Sequence, residues 1–174
     1  DRDLKGLRYG LLPRDAWLDP DPGPAAVYEA SIGALRAQGA EPVEVSLPHI
    51  RHSLAVYYLI ATAEASSNLA RYDGLRYGPR REGESLDELI RADRAAFGPE
   101  VKRRILLGTF ALSAGYVEAY YLRAQKTRSL IRDDFRKAFE LVDFMVLPTT
   151  PTAAFPLGEK RDDPLAMYLS DIYT

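Results

Sequence analysis

The chain of 174 residues contains no cysteine and only two histidines, His49 and His52. The first absence excludes disulfides, thiolate metal sites and a cysteine nucleophile. The second makes a histidine-rich metal site or a Ser-His-Asp triad hard to assemble. No stretch approaches the ~20 consecutive apolar residues that a membrane helix requires. Glycine-rich phosphate loops are missing as well, since neither GxGxxG nor GxxxxGKS occurs. An excess of one charge is also lacking. The formal net charge is −2, so the bulk electrostatics demand neither nucleic acid nor a membrane surface.

What is present suits a folded domain. Apolar residues make up 47% of the chain, enough for a sizeable core, and 28% are charged, an ordinary fraction. We expect a soluble, cytoplasmic protein with no membrane partner. Leu4 to Pro13 is apolar and ends at a proline, as a buried strand would. The proline-rich stretch from Trp17 to Ala26 reads as a turn in which Asp21 or Pro22 opens a helix. Tyr28, Ile32 and Leu35 then repeat at helical spacing, and Gly39 suits a C-terminal cap. Val43, Val45 and Leu47 alternate with Glu44 and Ser46, the pattern of a half-buried strand. Strand, helix, strand makes a parallel βαβ unit the natural topology.

Helices dominate the remainder. Residues 53–78 are rich in Ala, Leu and Tyr with no breaker until Gly74, and predict a largely buried helix ending in an Arg71-Tyr72-Asp73-Gly74 turn. Ser85 is placed to cap a helix whose first turn holds Asp87 and Glu88. Gly98-Pro99 breaks that helix, and another runs from Glu100 to Gly115. Tyr120, Ala124, Thr127, Ile131, Phe135, Ala138 and Val142 mark the longest helical pattern. Phe144 to Pro151 predicts a second buried strand. The fold class is therefore α/β, helix-rich, in what reads as a single partial domain over residues 1–174.

Three spots carry possible chemistry. Arg103 and Arg104 stand at a helix start before apolar residues. A guanidinium pairs with a carboxylate through two hydrogen bonds, but a solvated cationic face would look the same. Asp171 stands in the apolar segment Pro164–Thr174, where a buried carboxylate must be paired, capping or ligand-facing. Tyr57-Tyr58 lies in an apolar helix, where tyrosines either fill core or line a site. Other candidates fail. Ser66-Ser67 has no His or Lys placed to activate it, and "KRR" is too short for a nucleic-acid patch. The run "EKRDDP" lacks the oxygen ligands of a calcium loop. The residues alone show binding groups, with no nucleophile and no general base.

Read as strings, "YYLIATAEASSNLARYDGLRYG", "GPEVKRRILLGTFALSAGYVEAYYLRAQKTRSLI", "DFMVLPTTPT" and "DDPLAMYLSDIYT" closely resemble the amidase signature family. Within it they are most like the amidase subunits of the glutamyl-tRNA(Gln)/aspartyl-tRNA(Asn) amidotransferases. The resemblance implies a mixed sheet flanked by helices and a glutaminase that hydrolyses glutamine to ammonia. It implies partner subunits B and C, with ATP and magnesium used in the partner to activate misacylated Glu-tRNA(Gln) or Asp-tRNA(Asn). The family's two catalytic serines and its lysine lie in motifs this sequence does not contain. No catalytic residue carries over, and the segment alone is expected to be inactive. Three donor-glutamine contacts do carry over, onto Tyr57, Arg104 and Asp171. Preferring Tyr57 to Tyr58, and Arg104 to Arg103, rests on that resemblance. It further suggests an internal piece of a longer protein, cut through a core at Thr174. The alternatives are a general amidase of the same family and a non-catalytic scaffold or partner-binding module.

Overall fold

The computed structural model describes residues 4–13 and 20–173. The start of the proline-rich turn (17–19) and the terminal Thr174 lie outside the described residues. Strand β1 spans Arg8–Leu11, helix α1 Pro22–Ala37 and strand β2 Glu41–Glu44. After a 3-10 turn at Ile50–His52 come α2 (Ser53–Leu69), α3 (Leu86–Ala95) and α4 (Pro99–Leu112). A π-helical turn at Val117–Leu122 leads into α5 (Arg123–Ala138), then β3 (Phe144–Met145) and α6 (Pro164–Leu169). The chain divides into two compact units, one from residues 1–54 and 127–174, the other from 55–126.

The first unit is built on a three-stranded sheet of order β2-β1-β3. Both pairings are parallel, with Arg8 opposite Glu41 and Tyr9 opposite Phe144. The expected βαβ unit is therefore present, as β1, α1 and β2. Tyr9 is completely buried and packs with Ile32 and Ala40, joined by Tyr28 and Leu35 of α1. A second cluster gathers Leu12, Val45, Leu47, Ala138 and Val142, with Phe135 of α5 against it. Gly10 is needed between these clusters. A Cβ there would press to 3.2–3.3 Å on Met145, Val142 and Val45. Apolar packing on both faces is what a parallel sheet requires.

The strands are shorter than the sequence suggests. Leu4 to Gly6 turns instead of extending, with Gly6 at φ 84 and the Leu7 amide bonded to the Leu4 carbonyl at 3.0 Å. In β3 the ladder stops soon after Met145, with one more bond from the Val146 amide to Gly10 O at 3.1 Å. Pro148 and Pro151 beyond it have no amide to donate. Asp134, buried on α5, accepts from the His49 amide at 3.0 Å and meets His49 Nδ1 at 2.9 Å.

The second unit is helical. Ser85 Oγ accepts from the Glu88 amide, and the Glu88 carboxylate accepts from the Glu84 amide at 3.0 Å, so α3 opens with a reciprocal cap. Gly108 of α4 lies against α2, where a Cβ would overlap the Thr62 carbonyl. Ser66 and Thr109 hydroxyls are bonded beside it at 3.1 Å. The expectation of a largely buried α2 is corrected here. Only Val56, Ile60, Thr62 and Ala63 are buried, and Tyr57 is half exposed. Apolar residues run all round α2, so the sequence defines no single inward stripe. Helix α4 also ends earlier than expected, at Leu112, where Ser113 Oγ bonds back to Phe110 O at 2.7 Å. The long helical pattern begins as the π turn and is α-helical only from Arg123 to Ala138.

Candidate functional site

Helix α4 starts at Gly98-Pro99, a pairing in which the proline occupies the first turn without wasting a donor. That start places Glu100 in the first turn and brings Arg103 and Arg104 three and four residues later, onto its face. Glu100 accepts from both, at 2.8 Å from Arg103 Nη1 and 2.9 Å from Arg104 Nε. The two arginines differ beyond that shared partner. Arg103 is exposed, whereas the Arg104 side chain is 34% accessible and its guanidinium carbon lies 6.0 Å from the centre of the Tyr58 ring. Tyr57 and Tyr58 meet edge to face, with ring centres 5.0 Å apart at 81°.

The electrostatics follow from these contacts. The hydrogen bond to Glu100 is the largest influence holding the Arg104 pKa above the ordinary arginine value. Partial burial opposes it, and a hydrogen bond with the Tyr57 side chain adds to it. Arg104 is thus a fixed cation. Glu100 engages its Nε, so the fork's terminal nitrogens are the donors left for Tyr57 and for an anionic ligand. The second unit therefore brings together two of the three residues singled out, Tyr57 and Arg104. Glu100 was visible in the sequence only as an acid beside a basic run. Its orienting position follows from the three- and four-residue spacing on one helix.

Asp171 belongs to the first unit. Its placement corrects the sequence argument, because it is exposed and not buried. Helix α6 is capped by Asp163, whose Oδ1 accepts from the Ala166 amide at 3.0 Å. Asp171 comes just after the helix, its amide bonded to Tyr168 O at 3.2 Å. Helix capping in α6 falls to Asp163 instead. Upstream of α6, Lys160 Nζ donates to Ser170 Oγ at 2.9 Å and lies 4.2 Å from the centre of the Phe155 ring. Sequence inspection weighed this lysine only within a calcium-loop pattern.

A cavity of about 490 Å³ opens beside the first turn of α1 and the segment after β3, lined by Val27, Val146, Thr150 and Ala153 among others. Among the described residues its lining has no charged side chain, so it offers no ion pair to the two charges of a free amino acid. No group of three or more His, Asp or Glu side chains that could hold a metal occurs among the described residues. No single helix among them is long and apolar enough to cross a membrane.

Comparison with known proteins places this arrangement in a family. The family model described as Amidase matches residues 1–174. The A subunit of glutamyl-tRNA(Gln) amidotransferase from Chloroflexus aggregans is 56% identical over 174 residues, covering 99% of this chain and 36% of the relative. Its namesake from Geobacter sulfurreducens is 59% identical, covering 98% and 36%. Among solved structures, the crystal structure of the Thermotoga maritima protein of the same name gives a TM-score of 0.69 at 37% identity. That alignment covers 99% of this chain and 33% of the other. A crystal structure of an amidase aligns with a TM-score of 0.65 at 24% identity, a likeness of fold. The chain thus spans about a third of the length of the relatives it matches. It belongs to the amidase family, and within that family its sequence is similar throughout to the glutamyl-tRNA(Gln) amidotransferase members.

Proposed function

We propose that this segment supplies donor-glutamine contacts to the amidase subunit of a tRNA-dependent amidotransferase. In this reading Arg104 grips the glutamine α-carboxylate, Tyr57 flanks it, and Asp171 receives the α-ammonium. The observation that carries it is the state of Arg104, half-buried beside two tyrosines and oriented through Nε by Glu100. A planar fork held in that way suits a carboxylate, and pairing it with an acid selects a free α-amino acid over a peptide. The hydrolytic serine and lysine would come from other parts of a family-length chain. Ammonia released there would pass to partner subunits B and C. There ATP and magnesium would activate the misacylated Glu-tRNA(Gln) or Asp-tRNA(Asn). The 55–59% identity to curated members of that kind supports the partners, and ATP and magnesium are what the family resemblance implies for the partner subunit.

The test is Arg104→Lys in a full-length amidase subunit carrying this segment, in complex with its partners. Lysine keeps the charge and loses the fork. A charged hydrogen bond is worth about 1.5–3 kcal/mol, so KM for glutamine should rise by about 10- to 100-fold. Amidation driven by added ammonia should be unchanged. Equal loss of both activities would contradict the assignment.

A further inference from the structure

We infer that Lys160 is a positioning residue for Asp171, holding the turn that presents this carboxylate. The inference rests on the proposed role of Asp171. Helix α6 is only six residues long and has no fully buried residue. A helix that short does not hold its shape in water by itself, and without deep packing it needs another anchor. Ser170, the residue that joins it to Asp171, supplies one. A serine hydroxyl has one proton, and Ser170 Oγ donates it to Ala166 O at 3.1 Å, back into the helix. The oxygen's lone pairs then receive Lys160 Nζ at 2.9 Å.

Lys160 is in turn fixed from the other side. Its ammonium lies 4.2 Å from the centre of the Phe155 ring and 3.5 Å from Thr152 Oγ1. Thr152 is itself folded onto Thr150, whose hydroxyl donates to Thr152 O at 2.9 Å. No carboxylate pairs with Lys160 among the described residues. An exposed lysine side chain would ordinarily find water or an acid. This one spends its donors on two hydroxyls and a ring face, which ties residues 150–155 to the end of α6. Asp171 is the next residue along the chain.

The experiment uses a full-length amidase subunit carrying this segment, in complex with its partners, and compares Lys160→Met, Lys160→Arg, Ser170→Ala and Asp171→Asn. Lys160→Met should raise KM for glutamine about tenfold while kcat changes less than about twofold. Ammonia-driven amidation should stay unchanged. Lys160→Arg, which can still reach the Ser170 hydroxyl, should recover most of the loss. Ser170→Ala removes the acceptor and should mimic Lys160→Met, which keeps the test open if that variant does not fold. The Lys160→Met, Asp171→Asn double variant should be no worse than Asp171→Asn alone, because the lysine acts through the acid. An unchanged KM in Asp171→Asn would overturn the underlying glutamine reading. A raised KM there, with neither Lys160→Met nor Ser170→Ala raising it, would overturn the positioning role only.

Discussion

The two units differ in the large side chain each encloses most deeply. In the sheet-bearing unit that side chain is Tyr9, packed among Ile32, Ala40 and Phe144. In the helical unit it is Asp93, a carboxylate enclosed beneath the left-handed Gly74 and Gly78, with no hydrogen-bond partner for Oδ1 among the described residues. The sheet unit has two clusters of buried apolar residues. In the helical unit the buried apolar residues include Ile60, Leu89 and Ala111, beside a close backbone approach at Gly108 and the Ser85 cap. That unit leaves Leu106, Leu107, Phe110, Tyr116 and Tyr120 exposed, as the sheet unit leaves Phe139, Leu141, Leu157 and Leu165. The difference teaches that apolarity along a helix is no measure of burial. The candidate glutamine contacts Tyr57 and Arg104 stand in the helical unit.

That contrast can be broken by substitution, starting where burial is deepest. Leu47 is only 3% accessible within its cluster. Leu47→Ala should cost about 3 kcal/mol, read as lost amide-exchange protection across β1 and β2. A loss below about 1 kcal/mol would mean the sheet core is looser than described. Gly108→Ala should cost about 2 kcal/mol in the helical unit. Alanine gains about 1 kcal/mol of helix propensity, but the overlap with the Thr62 carbonyl outweighs it. A stabilised variant would show that the helices can separate freely. Leu106, 70% accessible, should tolerate Lys within about 0.5 kcal/mol in thermal unfolding. A cost matching that of Leu47→Ala would mean this face is covered, and the contrast would fail.

Local physics made some of the fold legible and not the rest. The three-and-four spacing of Tyr28, Ile32 and Leu35 announced α1, and Gly39 closes it at φ 87. Ser85 was readable as a cap because its hydroxyl acts within one turn. Val45 and Leu47 were readable as inward-facing because alternation has a period of two. What failed depends on neighbours distant in sequence. The exposure of Asp171 could not be read from the apolar residues around it, since α6 buries none of them fully. The side of α2 that faces inward was hidden by apolar residues on every side. The contacts of Lys160 were not legible because its partners lie eight and ten residues away, one in a loop and one at the end of α6. For the site, the three- and four-residue spacing accounts for both arginines on Glu100, a pairing the sequence reading did not draw. Only three-dimensional contact distinguishes Arg104, which reaches the tyrosines, from the exposed Arg103.

In the proposed function Arg104 reads the α-carboxylate and Asp171 the α-ammonium of free glutamine. The most direct measurement compares hydrolysis of L-glutamine and Nα-acetyl-glutamine by a full-length amidase subunit carrying this segment, with and without Asp171→Asn. An acid that receives the α-ammonium must discriminate against its acetylated form. The account predicts a wild-type preference for free glutamine of about 100-fold or more in kcat/KM, worth about 2.7 kcal/mol, falling at least tenfold in Asp171→Asn. A preference unchanged by that substitution would contradict it.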